Sequence, residues 1–245
     1  KIKDNYKLHD TKYSTLHKWS IENPDLFWKE VWRDCNVLSS KTWDKVINIT
    51  DFNTKFSVDS SDWFDGARLN FAENLLMHGN EKNDAISFTG EDENSISISY
   101  SELRKSVAQC VFGMKNHGVT KMDRVAAVIP NCPEAIIGML ASTSIGAIWT
   151  SCSPDFGING ILDRLGQISP KILITVNSYH YNGKEQDCLN KIREIVTMIS
   201  SIEFIFIVSF TKNKFVLKAN EKKWETLLDN SVSTIEFEQL PFDHP

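Results

Sequence analysis

The sequence lacks the segments that carry proteins across or into membranes. No run of about 18 apolar residues occurs in the chain, so a membrane-spanning helix is not expected. The first ten residues, K-I-K-D-N-Y-K-L-H-D, contain no apolar core and do not predict a signal peptide. The five cysteines are widely spaced, form no C-x-x-C pair and have no histidine at metal-ligand spacing. Reduced thiols in a cytosolic protein are therefore expected.

The sequence also lacks an excess of basic residues. Lysine and arginine number 27 against 32 aspartate and glutamate, which gives a formal net charge of −5, and no basic stripe occurs. A nucleic-acid partner is therefore not expected, because binding to a phosphate backbone depends on clustered positive charge. Hydrophobic residues make up 41% and charged residues 24% of the 245 residues, proportions typical of a globular protein.

Complete catalytic motifs are missing as well. Asp155-Phe156-Gly157 matches the metal-binding tripeptide of protein kinases, but the chain has neither the G-x-G-x-x-G loop nor the H-R-D loop of kinases. The patterns G-x-x-x-x-G-K-[ST], G-x-S-x-G and H-E-x-x-H do not occur either. We therefore predict that this chain carries no catalytic residue and no metal site of its own.

The first part of the chain is rich in tryptophan and in helix signals. Asn23 followed by Pro24 predicts a helix start, with D-L-F-W-K-E-V-W-R-D after it. A second helix is predicted from about Ala67 to His78. The polar stretch over residues 50–63, between these helices, is predicted to be a loop.

The pattern then changes to alternating strands and helices. A-I-S-F-T and S-I-S-I-S-Y predict a hairpin, and Ser99 with Glu102 has the spacing of a capping box for the next helix. Four continuous apolar runs follow: V-A-A-V-I-P, A-I-W-T-S-C, K-I-L-I-T-V and F-I-F-I-V-S-F. Such runs are typical of a parallel sheet covered on both faces. The predicted fold is α/β, with a helical N-terminal region and a hairpin before a doubly wound parallel sheet.

The loops after the four strands form the candidate site, because ligands bind at the carboxyl ends of parallel strands. One of them, D-F-G-I-N-G over residues 155–160, precedes a helix, so its glycines could let the backbone approach an anion at the helix N-terminus. The alternative is an Asp/Gly turn that only reverses the chain, and composition alone favours this alternative. Asn131, in P-N-C-P, could face the same edge or simply begin a helix.

Three further side chains are candidates near these loops. Lys184 could hold a phosphate and Tyr181 could stack on a base. Alternatively, Lys184 is a solvated lysine that opens a helix, where the helix dipole disfavours it. Arg164 lies in the helix after the D-F-G loop, where a surface ion pair with Asp163 or another acid is the simpler role.

Four longer segments carry a family resemblance: L-H-K-W-S-I-E-N-P-D-L-F-W-K-E-V-W, W-F-D-G-A-R-L-N-F-A-E-N-L-L, I-S-Y-S-E-L-R and S-I-G-A-I-W-T-S-C-S-P-D-F-G-I-N-G-I-L-D-R-L-G-Q-I-S-P-K. Together they resemble the acyl-CoA synthetases of the adenylate-forming superfamily. S-P-D-F-G, Y-N-G-K-E and F-E-Q-L-P-F-D-H-P are most similar to the acetoacetyl-CoA synthetase branch. This resemblance implies a ligase that activates a carboxylate with ATP and magnesium, releases pyrophosphate and transfers the acyl group to coenzyme A.

The resemblance also implies that the chain is the N-terminal portion of a longer cytosolic enzyme, which serves ketone-body use for lipid synthesis. Residues 1–80 would be the N-terminal helical region of short-chain acyl-CoA synthetases, and residues 81–245 the first part of the AMP-binding α/β domain. The sites for ATP, magnesium and the acid are then expected mainly outside these residues, and the isolated chain is expected to be inactive. A non-catalytic binding module and a ligase for another short-chain acid stay open as alternatives.

For the candidate residues, the resemblance implies a place on the coenzyme A side. This holds for the loops Ser153–Gly157 and Tyr181–Lys184, with Lys184 near the nucleotide phosphates of coenzyme A. Tyr181 stands where the acetyl-CoA branch carries an arginine, so its role does not carry over directly. The candidate cofactor-binding residues are Asp155, Phe156, Gly157, Arg164, Tyr181 and Lys184.

Overall fold

The computed structural model describes four stretches of the chain, residues 2–47, 63–77, 79–91 and 93–245. The chain divides into two compact units, one formed by Lys1–Asn70 with Gln239–Pro245 and the other by Phe71–Glu238. The domain boundary at residue 80, which follows from the family resemblance, stays a prediction.

The described residues of the first unit form three helices and a two-stranded ribbon. These are α1 (Ile2–Asn5), α2 (Tyr13–Glu22), α3 (Pro24–Asp34), β1 (Lys45–Ile47) and β2 (Trp63–Asp65), with β1 antiparallel to β2. α3 begins where predicted, because Pro24 has no backbone N–H that the first turn would leave unpaired. The side chain of Asn23 does not cap this helix and donates instead to the carbonyl of Trp19 at 3.1 Å. The loop predicted over 50–63 lies almost wholly outside the described residues.

The second predicted helix is shorter than expected. α4 (Phe71–Leu76) begins after the predicted start at Ala67. Leu69 instead forms a bridge with Leu240, in which each backbone N–H donates to the carbonyl of the other residue. Because this bridge uses the backbone groups that a helical turn would need, the helix starts only after it. The predicted end, His78, lies outside the described residues.

The predicted hairpin and capping box are both present. β3 (Asp84–Thr89) pairs antiparallel with β4 (Ser95–Ser99), and α5 (Tyr100–Asn116) starts directly after them. The hydroxyl of Ser99 accepts from the N–H of Glu102 at 3.3 Å, and the Glu102 carboxylate accepts from the N–H of Ser99 at 2.9 Å. The hydroxyl and the N–H of Ser99 both donate to this carboxylate and hold the pKa of Glu102 below its usual value.

Five parallel strands form the central sheet of the second unit, in the order β11-β10-β7-β5-β6. The strands from here to the end of the described chain are β5 (Arg124–Val128), β6 (Ile148–Cys152), β7 (Ile172–Val176), β8 (Ser178–Tyr181), β9 (Lys184–Asp187), β10 (Phe204–Val208) and β11 (Glu221–Lys223). The connecting helices are α6 (Pro133–Ser144), α7 (Ile158–Leu165) and α8 (Leu189–Met198). All four predicted strands are present and parallel, which confirms the α/β fold class.

Helices cover both faces of this sheet. Val125 and Ile172 belong to the core that includes residues of α5 and α6, whereas Ala126 and Leu173 belong to the core that includes residues of α7 and α8. Successive strand residues thus alternate between two apolar environments, as the continuous apolar runs predict. The carboxyl ends of the strands, with their loops, are where a ligand can reach the sheet.

One predicted helix start is wrong. Lys184 was expected to open a helix, but β8 and β9 form an antiparallel hairpin there, and α8 begins only at Leu189. Asn182 and Gly183 have φ values of 51° and 71° at the tip of this hairpin. Positive φ at both central residues defines a type I′ turn, for which Asn-Gly is a preferred sequence. The dipeptide N-G between two β-rich segments is the signal that would have predicted the hairpin.

Candidate functional site

A cavity of about 380 Å³ lies at the carboxyl ends of β5 and β6. Its lining comes from the loops after these strands and from the β8–β9 hairpin, and includes Asn131, Ser153, Asp155, Tyr179, His180 and Tyr181. A second cavity of about 720 Å³ shares Pro130, Asn131 and His180 with the first and extends to the β3–β4 hairpin. The predicted position of the site, at the carboxyl edge of the sheet, therefore coincides with concave surface that could receive a small molecule.

Asp155 lies at the centre of a hydrogen-bond network in this cavity. Its Oδ2 accepts from the hydroxyl of Ser153 at 2.7 Å, and its own N–H donates to that hydroxyl at 3.2 Å. Its Oδ1 accepts from the hydroxyl of Tyr179, on β8, at 2.8 Å. Burial raises the pKa of Tyr179, and the hydrogen bond to Asp155 raises it further, so the phenol keeps its proton and remains a donor. Asp155 therefore shapes the loop through its own side chain.

Lys191, on α8, holds the main chain of the same loop. Its ammonium donates to the carbonyl of Phe156 at 3.1 Å and also to the carbonyl of Pro154. Because a lysine ammonium can serve both carbonyls at once, it fixes the path of the loop on the side of α8. This role of Lys191 was not predicted, since no local sequence pattern connects a helix residue with a loop more than thirty positions earlier.

Among the described residues, Arg164 does not form the predicted ion pair. Its guanidinium lies 4.2 Å from the centre of the Phe156 ring, and its Nη1 donates to the carbonyl of Gly160 at 2.7 Å. The cation–π contact and the carbonyl take the place of the expected acid. Phe156 is 39% exposed, so this pair presents an aromatic face and a cation at the surface beside the cavity.

Gly157 precedes α7 with φ at −66°, a value that any residue adopts. A side chain there would meet no atom within 4 Å, so open space adjoins the backbone at this point. The prediction that Gly157 leaves room for a ligand is consistent with this space, although backbone conformation does not require glycine. That a ligand occupies this space stays a prediction.

Tyr181 and Lys184 face each other across the β8–β9 hairpin as a register pair. Lys184 therefore opens a strand and not a helix, so the argument that a helix dipole disfavours it is wrong. Tyr181 is 57% exposed and lines the first cavity together with Asp155. Lys184, Phe156, Gly157 and Arg164 do not line that cavity, so the structure brings only two of the six candidates into it.

Glu91, in the turn of the β3–β4 hairpin, contacts the tip of the β8–β9 hairpin. Its carboxylate oxygens accept from the backbone N–H groups of Asn182 and Gly183 at 3.2 and 3.1 Å. A carboxylate is thus already bound by the two turn amides beside Tyr181 and Lys184. Glu91 also lines the second cavity, so this contact joins two of its sides.

Polar contacts also fix the base of the β8–β9 hairpin. The Asn177 side chain accepts from the N–H groups of Phe210 and Thr211 at 2.9 and 3.2 Å. The Glu185 carboxylate accepts from the hydroxyls of Ser178 and Thr211 at 2.5 and 2.7 Å, and these two bonds lower the pKa of Glu185. The hairpin and the loop after β10 are therefore tied together, a contact that the sequence did not predict.

The thiols near the site are not activated. In the described chain all five cysteines are free, and burial raises the pKa of Cys132 and Cys188, to about 11 for Cys188. A neutral buried thiol is a poor nucleophile, which leaves these residues a packing role.

Two further findings concern the described residues alone. Among them, no three or more His, Cys, Asp or Glu side chains are grouped so that they could hold a metal ion. No helix in the same residues is both long and apolar enough to cross a membrane.

Comparison with known proteins identifies relatives of both parts of the chain. The profile of the AMP-binding enzyme family matches residues 77–238, and that of the acetyl-coenzyme A synthetase N-terminus matches residues 13–75. An acetoacetyl-CoA synthetase from Xenopus tropicalis is 38% identical over all of this chain, which spans 37% of that relative. A malonamoyl-CoA synthetase from Penicillium aethiopicum is 37% identical over 85% of this chain, which spans 29% of it.

The fold agrees with the sequence comparison. The acetoacetyl-CoA synthetase from Streptomyces lividans superimposes with a TM-score of 0.89 and 30% identity, over 100% of this chain and 37% of that structure. The predicted resemblance to acetoacetyl-CoA synthetases is thereby confirmed. Since the AMP-binding profile covers more than half of its length, the chain belongs to the AMP-binding enzyme family.

Proposed function

We propose that the complete protein is a ligase that activates acetoacetate with ATP, giving acetoacetyl-adenylate and pyrophosphate. The acyl group then passes to coenzyme A, giving acetoacetyl-CoA and AMP. The observation that supports this most strongly is the match of the entire chain to an acetoacetyl-CoA synthetase structure at a TM-score of 0.89. Five free thiols fit a reducing compartment such as the cytosol, where we propose the enzyme acts.

Within this reaction the present chain would supply the coenzyme A side of the site. The S-P-D-F-G loop and the β8–β9 hairpin border one cavity, and Tyr181 offers it an exposed ring on which a base could stack. Lys184 pairs with Tyr181 across the hairpin, Phe156 and Gly157 follow Asp155 in the loop, and Arg164 lies over the Phe156 ring. We propose that the ammonium, the guanidinium and the open space at Gly157 serve nucleotide phosphates. Magnesium would enter with ATP, and the described residues contain no cluster that would hold it.

A second candidate differs only in the acid. The relative named malonamoyl-CoA synthetase matches 85% of the chain at 37% identity, close to the identity of the acetoacetyl-CoA synthetases. Similarity in this part of the chain therefore does not distinguish acetoacetate from another short-chain acid.

The test is pyrophosphate release by two proteins, the product of the whole reading frame and the 245-residue chain alone. With ATP, magnesium and coenzyme A, the whole product should release pyrophosphate and form acyl-CoA with acetoacetate, and more slowly with malonamate or acetate. Faster turnover of malonamate would favour the second candidate. No acyl-CoA with any of the three acids would contradict the ligase.

The shorter chain should release no pyrophosphate, because it spans 37% of its acetoacetyl-CoA synthetase relative and the sites for ATP, magnesium and the acid are expected mainly outside these residues. Pyrophosphate release by this chain would overturn the proposal that it is inactive by itself. A reading frame that stops at Pro245, together with coenzyme A binding by the chain, would favour the binding module instead.

A further inference from the structure

The cavity at the strand ends is bordered by two segments that are separate in the sequence. The S-P-D-F-G loop follows β6, and the β8–β9 hairpin follows β7. In the described part of the chain, the side-chain hydrogen bond between these segments runs from the Tyr179 hydroxyl to Asp155 Oδ1, at 2.8 Å. This contact therefore ties the loop directly to the hairpin, whereas Lys191 ties the same loop to α8.

We infer that Tyr179 is a positioning residue for coenzyme A, which acts by holding Asp155 and the S-P-D-F-G loop at a fixed distance from the β8–β9 hairpin. The inference rests on the proposed function, since it concerns the coenzyme A side of the proposed ligase. Tyr179 itself is 7% exposed and need not touch the ligand. Its effect reaches the cavity through Asp155 and Tyr181.

The other contacts of the loop allow the positioning role of Tyr179 to be tested apart from its packing in the core. Asp155 Oδ2 is held by Ser153, a member of the same loop, and the carbonyl of Phe156 is held by Lys191. Without the Tyr179 hydroxyl, both contacts remain, so the loop keeps its local turn. What is lost is the connection between the loop and the hairpin.

The ring of Tyr179 has a structural role that is separate from that of its hydroxyl. It belongs to the larger core cluster of the sheet, and phenylalanine keeps that ring in place. Tyr179→Phe therefore removes only the hydroxyl and leaves Asp155 Oδ1 short of one donor. The substitution tests the contact with little change to the core.

The experiment uses the whole reading-frame product and measures steady-state kinetics for coenzyme A and for ATP. Tyr179→Phe should raise the KM for coenzyme A roughly tenfold, the loss expected for a hydrogen bond to a charged group, and leave the KM for ATP within about twofold. Asp155→Ala breaks the same bond from the other end. The double variant should then be no worse than Asp155→Ala alone, because one contact cannot be lost twice.

A second measurement does not depend on activity. Hydrogen exchange should become faster at the amides of residues 155–157 in Tyr179→Phe, while the amides of α5 keep their protection. Tyr13→Phe is the matched control, since Tyr13 is 80% exposed on α2 and lines neither cavity. It should change neither exchange at the loop nor the KM for coenzyme A.

The outcomes separate the inference from the function on which it rests. An unchanged KM for coenzyme A in an active Tyr179→Phe enzyme, or equal rises in both KM values, would overturn the inference and leave the ligase standing. If the wild-type protein makes no acyl-CoA, the proposed function fails by itself. Hydrogen exchange then decides whether Tyr179 positions the loop, and unchanged protection at residues 155–157 would refute it. If Tyr179→Phe does not fold, Asp155→Ala removes the bond to Tyr179 together with the bond to Ser153, and an unchanged KM for coenzyme A in that variant would still overturn the inference.

Discussion

Gly113, in the middle of α5, shows how closely two backbones approach in the larger unit. The carbonyl oxygen of Leu227, in the short 3₁₀ helix at Trp224–Leu227, occupies the space where a side chain of residue 113 would begin. An added methyl group would overlap a backbone atom, which cannot move aside as a flexible side chain can. Glycine at this position therefore serves packing and not conformational freedom.

Gly113→Ala should lower the free energy of unfolding by about 2 to 3 kcal/mol, since overpacking against backbone outweighs the better helix propensity of alanine. Urea denaturation of the purified chain measures the difference. Gly160→Ala is the control, because its added methyl would meet atoms no nearer than 3.6 Å. A loss for Gly160→Ala as large as that for Gly113→Ala would contradict the explanation.

At the residue scale, the sequence indicates which side chains are candidates for the site, but not which other side chains they contact. An Asp/Gly turn was one of the two alternatives for residues 155–160, and the bonds of Asp155 to Ser153 agree with a turn. Its bond to Tyr179 was not predictable, because no periodicity relates positions that far apart on different strands. Arg164 was assigned an acid because charge is visible in a sequence, whereas the ring of Phe156 becomes its partner only through loop geometry.

At the scale of elements, one ion pair connects α8 with the edge strand β11. The Nε of Arg193 lies 2.7 Å from Glu221 Oε1, and the Glu221 side chain is 2% exposed. Arg193 also donates to the carbonyl of Val216, in the loop before β11. A short polar strand without apolar periodicity is thus held to the sheet in part by a buried charge pair.

Arg193→Ala should cost roughly 3 kcal/mol in the free energy of unfolding, because it leaves the Glu221 carboxylate buried without its partner. The double variant Arg193→Met with Glu221→Met should lose less than Arg193→Ala alone, since it buries no uncompensated charge. Thermal or urea denaturation of the three proteins gives the comparison. Equal losses would show that the pair acts through shape alone.

The same carboxylate predicts a dependence of stability on pH. Burial tends to raise the pKa of Glu221, but the hydrogen bonds from Arg193 and from the N–H of Lys218 outweigh it, so the pKa lies below its ordinary value of 4.5. A depressed pKa contributes stability that is complete above pH 4.5 and is lost as the pH falls through the folded-state pKa.

Glu221→Gln should therefore be less stable than the wild type at neutral pH, and the difference should shrink as the pH drops below about 4.5. Urea midpoints across acidic pH measure this convergence. Glu225→Gln, at an exposed position in the adjacent 3₁₀ helix, should show no comparable convergence. A wild-type advantage that stays constant with pH would exclude Glu221 as its source.

Elements with strong periodicity were predicted, and those decided by single turns were not. α5 follows its capping box, and β5, β6, β7 and β10 follow their apolar runs. The β8–β9 hairpin was missed because K-E-Q-D is polar enough to open a helix, and the Asn182-Gly183 turn overrides that preference. Likewise α4 starts late because Leu69 is engaged in a bridge that no local pattern shows.

At the scale of the whole molecule, the two outer strands of the sheet differ in how they meet solvent. β11 is three residues long and carries Lys222 and Lys223, features that discourage pairing with another chain. β6, I-W-T-S-C, carries no charge, and in the described residues it pairs only with β5. Self-association of the 245-residue chain is therefore expected at β6.

Ser151→Lys, which places a charge on that exposed edge, should reduce the self-association of the 245-residue chain at high concentration. Analytical ultracentrifugation of the chain and the variant measures the shift. Gln167→Lys adds the same charge at another exposed position and should leave the distribution unchanged. A wild-type chain that is monomeric at all concentrations would contradict the expectation.

The sequence predicts which segments form the strands of the sheet, but not the order in which these strands lie side by side. Continuous apolar runs indicate parallel strands with helices on both faces, and the two core clusters confirm that arrangement. The position of β7 between β5 and β10, and the addition of β11, depend on contacts among elements distant in sequence. Such contacts leave no periodic trace in any single segment.

The hydrogen bonds around the β8–β9 hairpin have a consequence for the order of folding. They join residues 24 positions apart at Tyr179 and Asp155, 34 apart at Asn177 and Thr211, and 91 apart at Glu91 and Asn182. Closing such loops costs chain entropy that the parallel sheet must first offset. The cavity should therefore form late in refolding, after the strands have assembled. Recovery of ligand binding at this cavity would then mark the end of refolding.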